Sequence, residues 1–297
     1  MAKSLHIFSE AQRRRFIRFL VFLSLVRWYN LLVVALAQYL AAYFILNHEA
    51  AWYQVLLDWR LFLVISSTGL IIAGGYIINA FYDVEKDLAN RPQEVIVGRI
   101  LTKVFAIRGY LFVNAMALFL SLLIQKELFL FNGLFAFGLW FYSHKLKKKP
   151  LLGNFAAASL TVAAFFAVCV YYGFVNQVLL VYATFILLIT LIREVVKDLE
   201  AIKGDLIYGY QTFPVVYGIR RTKKLLYALM LCSILPFSLL YATIPLAGLL
   251  WYFGFCALML SYAAFRIHKA VKPAQFAHVN NLLKILILTG VASIILM

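Results

Sequence analysis

Twelve of the 297 residues are acidic, and eight of these fall in two short stretches. The first reads Asn79-Ala-Phe-Tyr-Asp83-Val-Glu85-Lys-Asp87, with Glu94 beyond it. Positions 79, 83 and 87 recur every fourth residue, so a helix places all three side chains on one face. Two aspartates one turn apart, backed by an asparagine, match what Mg²⁺ asks of a protein: one or two carboxylates, with water and substrate phosphates completing the shell. The second stretch reads Arg193-Glu194-Val-Val-Lys197-Asp198-Leu-Glu200-Ala201-Ile-Lys203-Gly204-Asp205. Glu194, Asp198 and Asp205 again lie near one helical face. Gly204 reads as a helix stop, residues 209–214 as loop, and Gly218 as the end of a short element.

Two acid clusters facing each other repel unless cations stand between them. Metal ions with a diphosphate answer that charge problem. Arg91, Arg99, Lys145, Lys147, Arg193 and Lys197 flank the clusters and are candidates to hold diphosphate oxygens. Arg27, with Asn30 three residues on, lies inside a long apolar run, where a charge is costly and usually faces a cavity. Cys169, Cys232 and Cys256 all lie in apolar runs without a ligand set around them and read as small buried hydrophobes. No hydrolase elbow, phosphate-binding glycine loop, zinc-binding HExxH or dinucleotide fingerprint is present.

The elements that must position these residues are membrane helices. The chain is 65% hydrophobic and 13% charged, against roughly 45–50% and 25% in soluble domains, and its mean hydropathy is +0.90. Nine apolar runs approach the ~20 residues needed to cross a bilayer: about 19–46, 61–82, 106–124, 128–142, 152–173, 177–193, 224–243, 246–265 and 280–297. The first run continues far past a signal peptide and reads as a retained helix. Basic residues crowd alternate connections, while the opposite ones hold only Arg60 and Lys126. The positive-inside rule then puts the N-terminus and both acid stretches in the cytoplasm and the C-terminus outside, which needs an odd helix count. The net charge of +16 is accounted for by an anionic leaflet and an anionic substrate, and no nucleic-acid-binding motif accompanies it. Asp83 and Asp198 lie 115 positions apart with four runs between them. The expected organisation is one all-α, multi-pass membrane domain over 1–297: a basic tail 1–18, a four-helix half 19–142, a second half 143–265 and a ninth helix 280–297.

These residues resemble the UbiA superfamily of intramembrane prenyltransferases over nearly the whole chain. The resemblance rests on NxxxDxxxD at 79–87, Asp87-Leu-Ala-Asn90-Arg91-Pro92, Tyr142-Ser-His-Lys145-Leu-Lys147 with Gly153-Asn154, and Arg193 to Asp205 followed by Thr212-Phe-Pro214 and Gly218. It implies nine helices bundled around a central cavity and an Mg²⁺-dependent transfer of a polyprenyl group from its diphosphate to a lipophilic acceptor. Asp83, Asp87, Asp198 and Asp205 would bind two Mg²⁺ with Asn79 in support. Arg27, Asn30, Arg91, Arg99, Tyr142, Lys145, Lys147, Arg193 and Lys197 would bind substrate. The pattern departs from the family at Ala80, at Ala201 and Lys203 where acids are common, and in the run after Pro92. The run from Arg193 to Gly218 is similar to digeranylgeranylglyceryl phosphate synthases, which prenylate a glycerophosphate lipid. Aromatic acceptors of quinone or haem pathways, and a non-catalytic transporter or lipid-binding protein, remain the alternatives.

Overall fold

The computed structural model describes residues 10–90, 92–236, 238 and 247–296. Among them the chain is all-helical. The helices are α1 (Glu10–Leu25), α2 (Trp28–Leu40, continued by a π-helical turn Ala41–Leu46), α3 (Trp52–Leu56), α4 (Trp59–Tyr82), α5 (Val84–Asn90), α6 (Lys103–Leu122), α7 (Lys126–His144), α8 (Leu152–Tyr172), α9 (Gln177–Ile207), α10 (Phe213–Cys232), α11 (Ala247–Lys269) and α12 (Pro273–Ala292). Polar caps set several starts. The Asp58 carboxylate accepts from the Arg60 amide, Thr102 from Phe105 and Asn176 from Leu179. Gly173, at φ 77°, closes α8 in the left-handed conformation that glycine adopts without strain.

Six segments are long and apolar enough to cross a membrane: Trp28–Leu46, Trp59–Tyr82, Lys103–Leu122, Leu152–Tyr172, Gln177–Ile207 and Pro273–Leu296. The outer faces carry exposed large apolar side chains such as Phe112, Leu134 and Trp251, which suit lipid contact and would be a liability in water. The protein is therefore an integral membrane protein. The other three expected runs fall on α7, on α10 with the residues after it, and on α11. The middle of α10 carries Arg220, Arg221, Lys223 and Lys224, so its apolar stretch within the described residues is short.

The first expected helix is broken in two. Arg27 sits between α1 and α2 at φ 51° and ψ 54°. A non-glycine residue there costs on the order of 1–3 kcal/mol, and such strain is held where a side chain must be aimed. The Arg27 guanidinium lies 5.4 Å from the centroid of Tyr76 on α4.

Packing follows from the helix surfaces. α4 packs mainly on α6 and α7, and α9 on α8, α10 and α12, while α8 touches both α7 and α9. Several polar side chains between the helices pair across them. Asn132 of α7 donates to Ser121 of α6 at 2.7 Å and to Ser67 of α4 at 3.2 Å, and Gln38 of α2 donates to the Ala164 carbonyl of α8 at 2.7 Å. In a lipid interior each such bond ties helices together for roughly 1 kcal/mol.

The length of α9 positions its acids. Thirty-one residues at 1.5 Å each give about 46 Å, well over a hydrocarbon core of ~30 Å. The last turns therefore leave the bilayer and carry Asp198 and Asp205 with them. The helix does not stop at Gly204 as expected but runs on to Ile207. Gly204 serves another purpose. Its amide donates to the Asn90 side chain at 3.0 Å, and a Cβ at this position would collide with that same side chain. The end of α5 thus rests directly on α9. Gly204→Ala or Asn90→Ala should separate them and leave a polar group unpaired, at about 1–3 kcal/mol. Thermal unfolding in detergent is expected to show a midpoint lowered by several degrees for both variants, and an unchanged midpoint would count against this contact.

Candidate active site

The two acid stretches meet on one side of the bundle. Asn79 and Asp83 come from the last turn of α4. The Asp87 amide donates to the Asp83 carbonyl at 2.8 Å, so the helical course continues and keeps positions 79, 83 and 87 on one stripe. Lys147 enters from the tight turn Leu146–Lys148 between α7 and α8. Its ammonium lies 2.6 Å from Asp83 Oδ1 and 3.2 Å from Asn79 Oδ1, with 7% of the side chain accessible. Gly153 makes room for that turn, because a Cβ there would meet the Leu146 carbonyl at 2.8 Å.

Across from this stripe, the fully buried Asp205 has both oxygens engaged. Lys86 Nζ lies 2.5 Å from Oδ1 and the Thr212 hydroxyl donates to Oδ2 at 3.0 Å. Tyr210 joins the halves. Its hydroxyl donates to Asp83 Oδ1 at 3.2 Å, and its ring lies under Lys86 (4.5 Å) and Lys148 (5.2 Å). The Tyr210 amide bonds the Asp205 carbonyl, and the Gln211 amide bonds the Lys148 carbonyl, which holds the loop after α9 against the turn after α7. Asp198 accepts from Asn154, at the start of α8, at 2.7 Å. Tyr142 stands among the charges of Glu194, Asp198 and Asp83.

A second group of cations comprises the exposed Arg27 with the partly exposed Arg193 and Lys197. Asn30 donates to the Tyr76 hydroxyl at 2.9 Å beneath Arg27, and Arg27 and Arg193 both act electrostatically on Tyr76. Lys197 pairs with Glu194 at 2.7 Å. Arg193 Nε donates to Asn280 of α12, which in turn donates to Glu200. Arg99 and Lys145 are brought into neither group: Arg99 is exposed and donates to the Pro92 carbonyl of its own loop, and Lys145 is exposed at the end of α7. Arg91 lies outside the described residues. Lys86, Tyr210, Asn154, Asn90 and Thr212 join the site without having been singled out as site residues. Asn90, Asn154 and Thr212 stand inside the family-like stretches, whereas Lys86 and Tyr210 carry no local signal: one reads as a positive-inside residue, the other as loop.

The electrostatics follow from burial. Burial and then the Asp83 carboxylate push the Asp87 carboxyl up to about 6. Burial lowers Lys147 from the usual lysine range despite Asp83. Burial also works against Lys86, but Asp205, with Asp83 and Asp198 behind it, holds it above that range. Tyr210 is raised by burial and by the same acids.

Among the described residues no three carboxylate, histidine or cysteine groups stand together ready to hold a metal ion. Lysine ammoniums pair with Asp83 and Asp205. The donor chemistry nevertheless fits a hard cation. Asn79, Asp83, Asp87 and Asp198 offer oxygen ligands only, and the burial-raised Asp87 is a carboxylate short of positive charge.

The profile of the UbiA prenyltransferase family matches residues 49–288. The digeranylgeranylglyceryl phosphate synthase of Thermococcus sibiricus is 30% identical over 297 residues, covering 93% of this chain and 96% of its own. A solved structure concerned with digeranylgeranylglyceryl phosphate synthase in membranes shares the fold at TM-score 0.69 and 22% identity, covering 93% of this chain and 97% of its own. A UbiA homolog from Archaeoglobus fulgidus bound to GPP and Mg²⁺ shares it at TM-score 0.65 and 16% identity, covering 93% and 99%.

The raised Asp87 makes a prediction for the metal-free protein. Its carboxyl binds a proton more tightly in the fold than at its ordinary 3.8, so its contribution to stability falls as pH rises through the window from about 4 to about 6. Asp87→Asn should match the parent thermal midpoint at the acid end of that window and exceed it by a few degrees at neutral pH. Parallel midpoints at every pH would mean that Asp87 already has a cationic partner.

Proposed function

The chain belongs to the UbiA prenyltransferase family, and on that premise we propose that it is an Mg²⁺-dependent enzyme that moves a geranylgeranyl group from its diphosphate to geranylgeranylglyceryl phosphate. One observation carries this reading: two acid-bearing helix ends, far apart in sequence, meet at a point where lysines and a tyrosine hold their carboxylates together. Such a cluster suits a metal-bound diphosphate. Asp83, Asp87 and Asp198 would hold Mg²⁺ with Asn79 in support. When bound, the metal draws charge from the diphosphate and makes it a better leaving group.

The chain's own groups then do the following. Lys147, on a flexible stem and less favourably charged than Lys86, turns from Asp83 to the diphosphate oxygens. Tyr210 holds Asp83 in place through its hydroxyl. Tyr142, set among the acid charges, would shield a developing allylic cation with its ring, and the apolar helices around it exclude water. Arg27, Arg193 and Lys197 gather around Glu194 and outnumber it. That surplus of positive charge suits an acceptor carrying its own phosphate, in keeping with the name of the Thermococcus sibiricus relative. Nine crossings with both acid stretches in the cytoplasm fit the basic connections.

Asp83→Asn and Asp198→Asn are expected to lower prenyl transfer by about two to three orders of magnitude while the proteins stay folded in membranes. Purified protein, Mg²⁺, geranylgeranyl diphosphate and geranylgeranylglyceryl phosphate should yield the doubly prenylated lipid by mass spectrometry. Full activity in both variants would sink the metal assignment, and product with an aromatic acceptor alone would overturn the acceptor.

A further inference from the structure

The carboxylates of the site are not equivalent. Asp83 shares one oxygen between Lys147 and Tyr210, and Lys147 divides its bonds between Asp83 and Asn79. That arrangement can open as a substrate enters. Asp205 is different. It has no accessible side-chain surface, Lys86 occupies one oxygen at 2.5 Å and Thr212 the other at 3.0 Å. Lys86 itself is covered by the ring of Tyr210, whose amide donates to the Asp205 carbonyl and whose hydroxyl donates to Asp83. Removing Lys86 from Asp205 would strip a buried charge of its partner.

The rest of the second stretch offers little to replace Asp205. Position 201 is alanine and 203 is lysine. Glu200 accepts from Asn280, and Glu194 is held by Lys197. Asp198 accepts from Asn154 through one oxygen, Oδ2.

Resting on the prenyl-transfer reading, we propose that Lys86, clamped between Asp205 and the Tyr210 ring, is a fixed cation standing in the place of a second metal ion, so that this site binds its prenyl diphosphate with one divalent ion. Lys86 is thereby a positioning residue. It neutralises the second acid stretch permanently and leaves Asp83, Asp87 and Asp198 to share the single ion.

The test counts metal rather than product. Mn²⁺ is titrated into the purified full-length protein in the presence of the unreactive analogue geranylgeranyl thiolodiphosphate, and bound Mn²⁺ per chain is read by electron paramagnetic resonance. The parent protein and Lys86→Arg are expected to bind one equivalent. Lys86→Met, which keeps the stem but frees Asp205, is expected to bind two. Two equivalents in the parent protein would overturn the proposal while leaving metal-dependent prenyl transfer standing. One equivalent in a folded Lys86→Met would also overturn it, because Asp205 would then not be the vacated position. No bound Mn²⁺ in any of the three would remove the metal-dependent reading and this inference together. Should Lys86→Met fail to fold, the counts for the parent and Lys86→Arg decide the matter.

Discussion

Four carboxylates at the end of an apolar bundle repel one another, and two lysine ammoniums keep them in one place. Lys147 sits on Asp83 and Lys86 on Asp205. At a few ångströms and an effective dielectric near 20, each such pair is worth several kcal/mol before desolvation is charged against it. Around these pairs the rest of the site is arranged. Tyr210 bridges them, with its ring under Lys86 and its hydroxyl on Asp83. In these pairs the carboxylates face ammoniums.

Backbone features bring the pairs within reach. α9 is long enough to deliver Asp198 and Asp205 beyond the hydrocarbon core. Gly204 lets Asn90 approach, and Gly153 lets the Lys147 turn lie against α8. Each glycine stands where a methyl group would displace a site residue. A chain of this composition has many glycines between packed helices, but these two act on the chemistry directly.

Arg27, Arg193 and Lys197 follow a different logic. Arg27 is held in a left-handed backbone conformation at the break between α1 and α2, and its guanidinium rests by Tyr76. Breaking a helix inside an apolar run exposes backbone groups that lipid cannot satisfy, so the break has to face protein or a wet cavity. Arg193 and Lys197 are tied through Asn280 and Glu194. The result is a positively charged wall beside the acid cluster, so that groups of opposite sign line neighbouring parts of one site.

Much of this protein was legible in its sequence. Hydropathy marks the membrane class and the helices because burial in lipid is a demand on composition, and composition is local. The four-residue spacing of Asn79, Asp83 and Asp87 places them on one stripe because helical periodicity is a property of neighbours along the chain. Partnership is not local, and only the tertiary structure decided it. Lys145 and Lys147 look alike in sequence, yet the tight turn after α7 exposes one and buries the other against Asp83. Lys86 reads as a leaflet anchor until α9 brings Asp205 to it, and Tyr210 as loop until its ring is seen between two lysines. Which side chain meets which acid depends on how helices a hundred residues apart pack, and a lysine on a flexible stem takes whichever carboxylate that packing places within its reach.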